Sequence, residues 1–205
     1  PHAAAFVAIN RHLREDVEAD LLAIVAEIRV DAAEAILEGP AGQRGVGEEF
    51  SELKQSSSPA GRGPSPAELL RRQAGALRCL GLMRSQKALP HAERAARHAE
   101  AALREAAAEA LGLYPAPTGQ EVLKALAGDA DEAVAFAALR TLWRRGGPVD
   151  GVLPLARRRI EAGLAGPQAA EVLAEAGEAA DAPALAAMLD SSRAELRRLG
   201  LRGLA

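Results

Sequence analysis

Side chains able to do covalent or metal chemistry are few in this 205-residue chain. Cys79 is its single cysteine, and a thiolate nucleophile needs a nearby base and a lowered pKa, neither of which the neighbouring sequence supplies. There are four histidines. His91 and His98 lie seven apart on nearly one helical face, whereas His2 and His12 are far away in sequence, so no zinc set is expected and they read as solvated helix residues. No glycine-rich phosphate loop joins a strand to a helix. From this inventory no catalytic residue, no metal site and no cofactor is expected. What the sequence offers instead is charge at a fixed interval: Arg78, Glu109, Arg140, Glu171 and Arg202 follow one another every 31 residues with alternating sign. Such a series either pairs with itself, at about 0–1 kcal/mol for each exposed pair, or recognises something outside the chain.

Bringing those charges side by side requires a repeat, and the sequence has one. Leu80, Leu111, Leu142, Leu173 and Leu204 share the 31-residue interval, and four residues before them sit Ala76, Ala107, Ala138, Ala169 and Gly200. Eight residues before three of these leucines lie Leu103, Val134 and Leu196, completing an i, i+4, i+8 stripe on one helical face; Arg72 and Ala165 depart from it. Small side chains at the middle position suit helices whose axes approach closely. Between the anchors, "LYPAPTG", "RRGGPVDG" and "EAADAP" punctuate the chain. Each is followed by a second apolar pattern: Val122, Leu123 and Leu126; Val152, Leu153 and Leu155; Leu185, Met188 and Leu189. Every unit therefore reads as two antiparallel helices. Two short helices cannot bury both apolar faces alone, so successive units must stack into an α-solenoid. Composition agrees: Ala and Leu make up 77 of 205 residues and only Phe6, Phe50, Tyr114, Phe136 and Trp143 are aromatic, which leaves little material for strands and favours an all-α fold.

The rest of the chain is organised differently. Residues 1–38 read as a helical pair: a long amphipathic helix from Ala3 to about Arg29, with Phe6, Ile9, Leu13, Val17, Leu21, Ile24 and Ile28 on one face, then a short helix from Asp31 to Leu37. Residues 39–66 are rich in Gly, Ser and Pro and read as a long flexible linker, within which "EEFSELK" is a possible docking segment. The repeats occupy residues 67–205. Net charge is −3, with the acidic excess in the first 67 residues. A nucleic-acid partner is therefore not expected, because phosphate binding needs a strongly basic face. The clusters Arg71-Arg72, Arg144-Arg145, Arg157-Arg158-Arg159 and Arg197-Arg198 point in different directions on their helices and read as solvated. No apolar run approaches the ~20 residues of a membrane span, and one cysteine cannot form an internal disulfide, so a soluble, cytoplasmic segment is expected. Starting at Pro1 and stopping at Ala205 within a helical pattern, the segment reads as part of a longer protein.

The stretches "LREAAAEALG", "DADEAVAFAALRTLWRRGG" and "DSSRAELRRLGLRGLA" resemble the second helix of HEAT repeats, in particular the short bacterial kind of about 30 residues also found in proteins similar to phycobilin lyases. Trp143 in place of a closing Gly, Pro167 early in the fourth helix and Pro154 inside a first helix depart from the pattern, and Pro154 is expected to kink its helix. The resemblance implies a right-handed solenoid of antiparallel helix pairs whose second helices line the concave surface. It implies a non-enzymatic scaffold or adaptor that binds a protein or peptide there. The groove would then be formed by Arg78, Glu109, Arg140, Glu171 and Arg202, with Arg198 beside them and Phe136 and Trp143 as apolar anchors. Two other readings stand beside it: a regulatory part or subunit of a larger lyase-like enzyme, and a DNA-binding solenoid.

Overall fold

The computed structural model describes residues 2–28, 65–164 and 166–205. Nine of the ten α-helices among them follow the two-helix plan. Helix α1 (His2–Ala26) precedes the array. Five longer helices, α2 (Pro66–Leu82), α4 (Ala101–Gly112), α6 (Glu132–Arg144), α8 (Pro167–Ala176) and α10 (Ala194–Leu204), alternate with the shorter α3 (Leu89–Ala95), α5 (Gln120–Leu126), α7 (Val152–Glu161) and α9 (Ala182–Ala187). No strand occurs among the described residues. The short N-terminal helix expected after Arg29 and the linker up to residue 64 lie outside them. No described helix is long and apolar enough to cross a membrane.

Local signals fix where the helices begin. Ser65 and Glu68 form a capping box at the start of α2, the Glu68 carboxylate accepting from the Ser65 N–H at 2.7 Å and the Ser65 hydroxyl from the Glu68 N–H at 3.3 Å, with Pro66 at the first helical position. Ser65 and Pro66 thus belong to the helix rather than to the linker. Asp131 caps α6 by accepting from the N–H groups of Ala133 (2.9 Å) and Val134 (3.2 Å). The kink expected at Pro154 has no cause here. Helix α7 starts at Val152, so Pro154 falls in its first turn, where N–H groups lack intrahelical acceptors anyway.

The repeat register builds the core. Leu80, Leu111 and Leu173 are buried, as are Ala76, Ala107, Ala138, Ala169 and Gly200 four residues before the anchors and Leu103, Val134 and Leu196 a turn further back. Leu142 is half-buried and Leu204 exposed. Each short helix packs on the longer one after it, and α2 packs on α4, α4 on α6 and α8 on α10. Helix α1 packs on α2, and its C-terminal Val25, with Ile28 just beyond, enters the same core. Arg14 of α1 donates to the Met83 carbonyl at 2.6 Å, tying the middle of α1 to the end of α2.

Between α6 and α8 the close stacking lapses, and the core divides into two clusters that share α6 as a wall. Val134, Ala137, Ala138 and Leu142 face back into the first cluster; Phe136, Leu139 and Trp143 face forward into the second. The cause is the residue one position after the anchor. In α2 and α4 it is Gly81 and Gly112, where an added Cβ would come within 2.9 Å of the Ala110 Cα and 2.8 Å of the Thr141 hydroxyl. Nothing larger than hydrogen fits. In α6 that position holds Trp143, too large for so close an approach and packed against the second cluster. The tight approach returns between α8 and α10, where Ala174 faces Gly203 and a Cβ on Gly203 would sit 2.9 Å from the Ala174 Cα.

Cys79, expected as a small packing residue like its equivalents Ala110, Thr141 and Val172, is exposed. Ala110 and Thr141 are covered because Gly81 and Gly112 of the preceding long helix lie against them. The two histidines expected to be solvated are also not so. His98 is buried in the turn before α4, its Nδ1 accepting from the Glu100 N–H at 3.0 Å, and His91 is half-buried on α3, where desolvation followed by the nearby Arg94 charge pushes its pKa down.

Candidate partner-binding groove

The even-numbered helices lie in a row, and the 31-residue register sets their charged side chains on one face. Arg78 on α2 pairs with Glu109 on α4, and its other guanidinium nitrogen stands 4.0 Å from Glu105. One interval further, Arg140 on α6 grips Glu171 on α8, its Nε donating at 2.9 Å and a second nitrogen reaching the same oxygen. The series is not a continuous ladder. Glu109 is taken by Arg78, so no Glu109–Arg140 bond forms, and Glu171 holds Arg140 with Arg144 at 3.9 Å, so Arg202 on α10 takes Glu175, one turn along α8. Each carboxylate has one close guanidinium, and alternation yields pairs.

Three hollows open along this face, and Arg140 borders all of them. The largest, about 600 Å³, lies across the C-terminal ends of α2, α4 and α6 and is bordered by Arg78, Arg84, Glu109, Arg140, Arg144 and Arg145 together with Leu82, Leu113 and Tyr114. A small one, about 60 Å³, sits where α6 and α8 stand apart, between Glu105, Phe136, Arg159 and Gln168. The third, about 280 Å³, is bordered by Glu171, Glu195, Leu199 and Arg202.

The floor is held by contacts that residue types alone do not reveal. Arg145 turns inward and donates to the carbonyls of Thr118 (2.9 Å), Leu111 (2.6 Å) and Tyr114 (2.8 Å), satisfying the C-terminal end of α4. Burial pushes its pKa down. Tyr114 in turn donates from its buried hydroxyl to the Ser85 carbonyl at 2.6 Å, and the Ser85 hydroxyl bonds Glu18 of α1. This chain of contacts spans from α1 to α6. Arg104 makes a two-pronged bond to Asp129 (2.7 and 2.9 Å) and reaches the carbonyls of His98 and Ala99. That hydrogen bond holds the Asp129 carboxyl below its ordinary range. Arg197, seven residues before Leu204 as Arg104 is before Leu111, caps the Ser191 and Ser192 carbonyls in the same way. Glu105 titrates above the usual carboxylate range, because it is desolvated and because Glu109 stands beside it.

The expected groove residues divide. Arg78, Glu109, Arg140, Glu171 and Arg202 all border the hollows. Phe136 is not an exposed anchor: 5% of it is accessible, and the Arg159 guanidinium covers its ring at 5.1 Å from the centroid. Trp143 packs against the second core cluster and borders none of the hollows. Arg198 is exposed and makes no ion pair with the described residues. Of the arginine clusters read as solvated, Arg145 is half-buried and Arg157 is engaged by Asp181 and Glu178, whereas Arg158 reaches Glu132 at the surface at 3.2 Å. Leu82, Arg84 and Arg144 were not singled out in the sequence as groove residues; Leu82 follows the anchor by two positions and carried no repeat signal.

No curated protein and no solved structure matches the chain. The family model for HEAT repeats matches residues 66–143. The matched stretch runs from the first residue of α2 to Trp143, the residue at which close stacking lapses. Helix pairs, buried repeat register and family match agree that this stretch is built of HEAT-like repeats.

Proposed function

We propose that the chain is a binding module rather than an enzyme, a scaffold or adaptor that holds a protein partner along the face of its even-numbered helices. HEAT repeats in general mediate protein–protein interaction. The observation that carries the reading is the position of Arg140, which borders all three hollows and joins α6 to α8 across the only gap in the row of described long helices. Stacking produces a long open surface with charge at regular intervals, and open surfaces suit macromolecular partners better than they suit catalysis, which needs an enclosed, desolvated site. The lone Cys79 fits a reducing compartment, and we place the protein in the cytoplasm.

Arg140→Glu, with Arg140→Gln as the milder change, tests this. Arg140 is half-buried against Glu171 but lies outside both core clusters, so circular dichroism is expected to remain that of the folded protein, while the protein retained by an immobilised wild-type column is lost. The loss is expected to shrink as salt is raised, since a charge change acts mainly on association rate and salt dependence. Unchanged retention by both variants and by Arg78→Glu would remove the groove from the account.

A further inference from the structure

Resting on that reading, we infer that the groove takes an acidic peptide segment of its partner, one that carries an apolar side chain among its carboxylates. The argument starts from charge. Five arginines border the largest hollow, Arg78, Arg84, Arg140, Arg144 and Arg145, against one carboxylate, Glu109. Their occupations differ. Arg78 and Arg140 are committed to Glu109 and Glu171, and Arg145 to three backbone carbonyls. Arg84 is exposed with no side-chain bond to the described residues, and Arg144 has only the 3.9 Å approach to Glu171 while 56% exposed. Two guanidinium forks at the border of one hollow, one just after α2 and one at the end of α6, are therefore available, and a guanidinium fork matches the two oxygens of a carboxylate.

Beside these forks lies apolar surface. Leu82 is 70% exposed, the most exposed large apolar side chain among the described residues, and Leu113 and Pro115 border the same hollow. An apolar residue placed there buries surface that would otherwise stay in water, while its acidic neighbours reach Arg84 and Arg144. A nucleic-acid strand fits less well. A strand long enough to run past this hollow would meet Glu105, Glu171 and Glu195 at its neighbours, whereas a short acidic segment stays where the one carboxylate, Glu109, is already held by Arg78.

The probes are fluorescein-labelled nonapeptides in an anisotropy titration of the protein. One has Asp and Glu around a central Leu, one has Asn and Gln in their place, one has Gly for the Leu, and a dT oligonucleotide of similar length stands beside them. The acidic Leu peptide is expected to bind at least about tenfold more tightly than the amide and Gly peptides, and to weaken as salt rises. Arg84→Gln with Arg144→Gln, and Arg144→Gln alone as the gentler variant, are expected to reduce that affinity, the double change by about tenfold, with the circular dichroism unchanged. No binding of the acidic peptide, equal binding of the amide peptide, tighter binding of the oligonucleotide, or affinity indifferent to both variants would each overturn the inference. Should these peptides fail while Arg140→Glu still abolishes retention of a protein partner, the acidic-segment inference falls alone; should Arg140→Glu leave retention intact, the groove reading falls with it.

Discussion

Leu111→Ala is expected to lower the stability of the protein by about 3 kcal/mol, within the roughly 2–5 kcal/mol range of buried leucine truncations. Leu111 has no accessible surface and sits in the first core cluster, between α2 on one side and α6 on the other. The chain around it cannot close a cavity readily. Gly119 in the loop before α5 approaches so near that an added Cβ would lie 2.7 Å from a Leu111 methyl, and the Arg145 bond to the Leu111 carbonyl pins the backbone. In a stacked array each unit is stabilised by its neighbours, so weakening one interface loosens the next. Against a typical total of about 5–15 kcal/mol, the loss should move the urea midpoint strongly with little change in slope. Leu204→Ala, at the same repeat position but 43% exposed, is the control and should cost much less. Equal effects of the two changes would mean that the anchor register does not set burial.

The second large effect is one whose sign is in contest. Helix propensity alone says that Gly81→Ala near the end of α2 should stabilise by up to about 1 kcal/mol. Packing says the opposite, because the new Cβ would meet the Ala110 Cα at 2.9 Å and the Ala110 carbonyl oxygen at 3.0 Å. These are backbone atoms of α4, and they move only if the whole helix moves. Overpacking of a close-packed contact costs about 1–3 kcal/mol, so the net result is expected to be destabilising, and Gly81→Val more so. Gly75→Ala in the same helix isolates the propensity effect, since nothing lies within 4 Å of its added Cβ. It should stabilise. Thermal unfolding of the three variants decides between packing and propensity, and a rise in Tm for Gly81→Ala would show that α2 and α4 are not in the contact described.

Most of the fold was legible because a repeated environment writes the same residue into each copy. Leu80, Leu111 and Leu173, with an alanine a turn before each, face equivalent neighbours and therefore recur at one interval. Helix α3 carried a weak signal, since its buried face is made of Ala92 and Ala95 with Ala88 before it, which hydropathy barely distinguishes from a surface. In the groove, the pairs Arg78–Glu109 and Arg140–Glu171 follow from the interval. The Arg202–Glu175 pair does not, because it depends on which carboxylate remains available. Nor could the inward turn of Arg145 be read, because its acceptors are backbone carbonyls, which every residue has. Trp143 was visible as a departure from the closing Gly, yet its consequence, a gap between α6 and α8, appears only when Gly81 and Gly112 show how little room that position leaves. Phe136 misled for the complementary reason: an aromatic residue on a groove-facing turn signals either recognition or core, and here Arg159 closes over it.

The partner-facing role of the even-numbered helices is tested most directly by site-specific photo-crosslinking in the complex with the retained partner. A photoreactive side chain is placed in turn at Leu82, Arg144, Gln168 and Leu199 along the groove, and at Lys87 and Lys124 on the side of the short helices. Covalent adducts to the partner from the groove positions, with none from Lys87 or Lys124, are the predicted result. Adducts confined to Lys87 and Lys124 would contradict it and move the binding surface to the opposite side of the array.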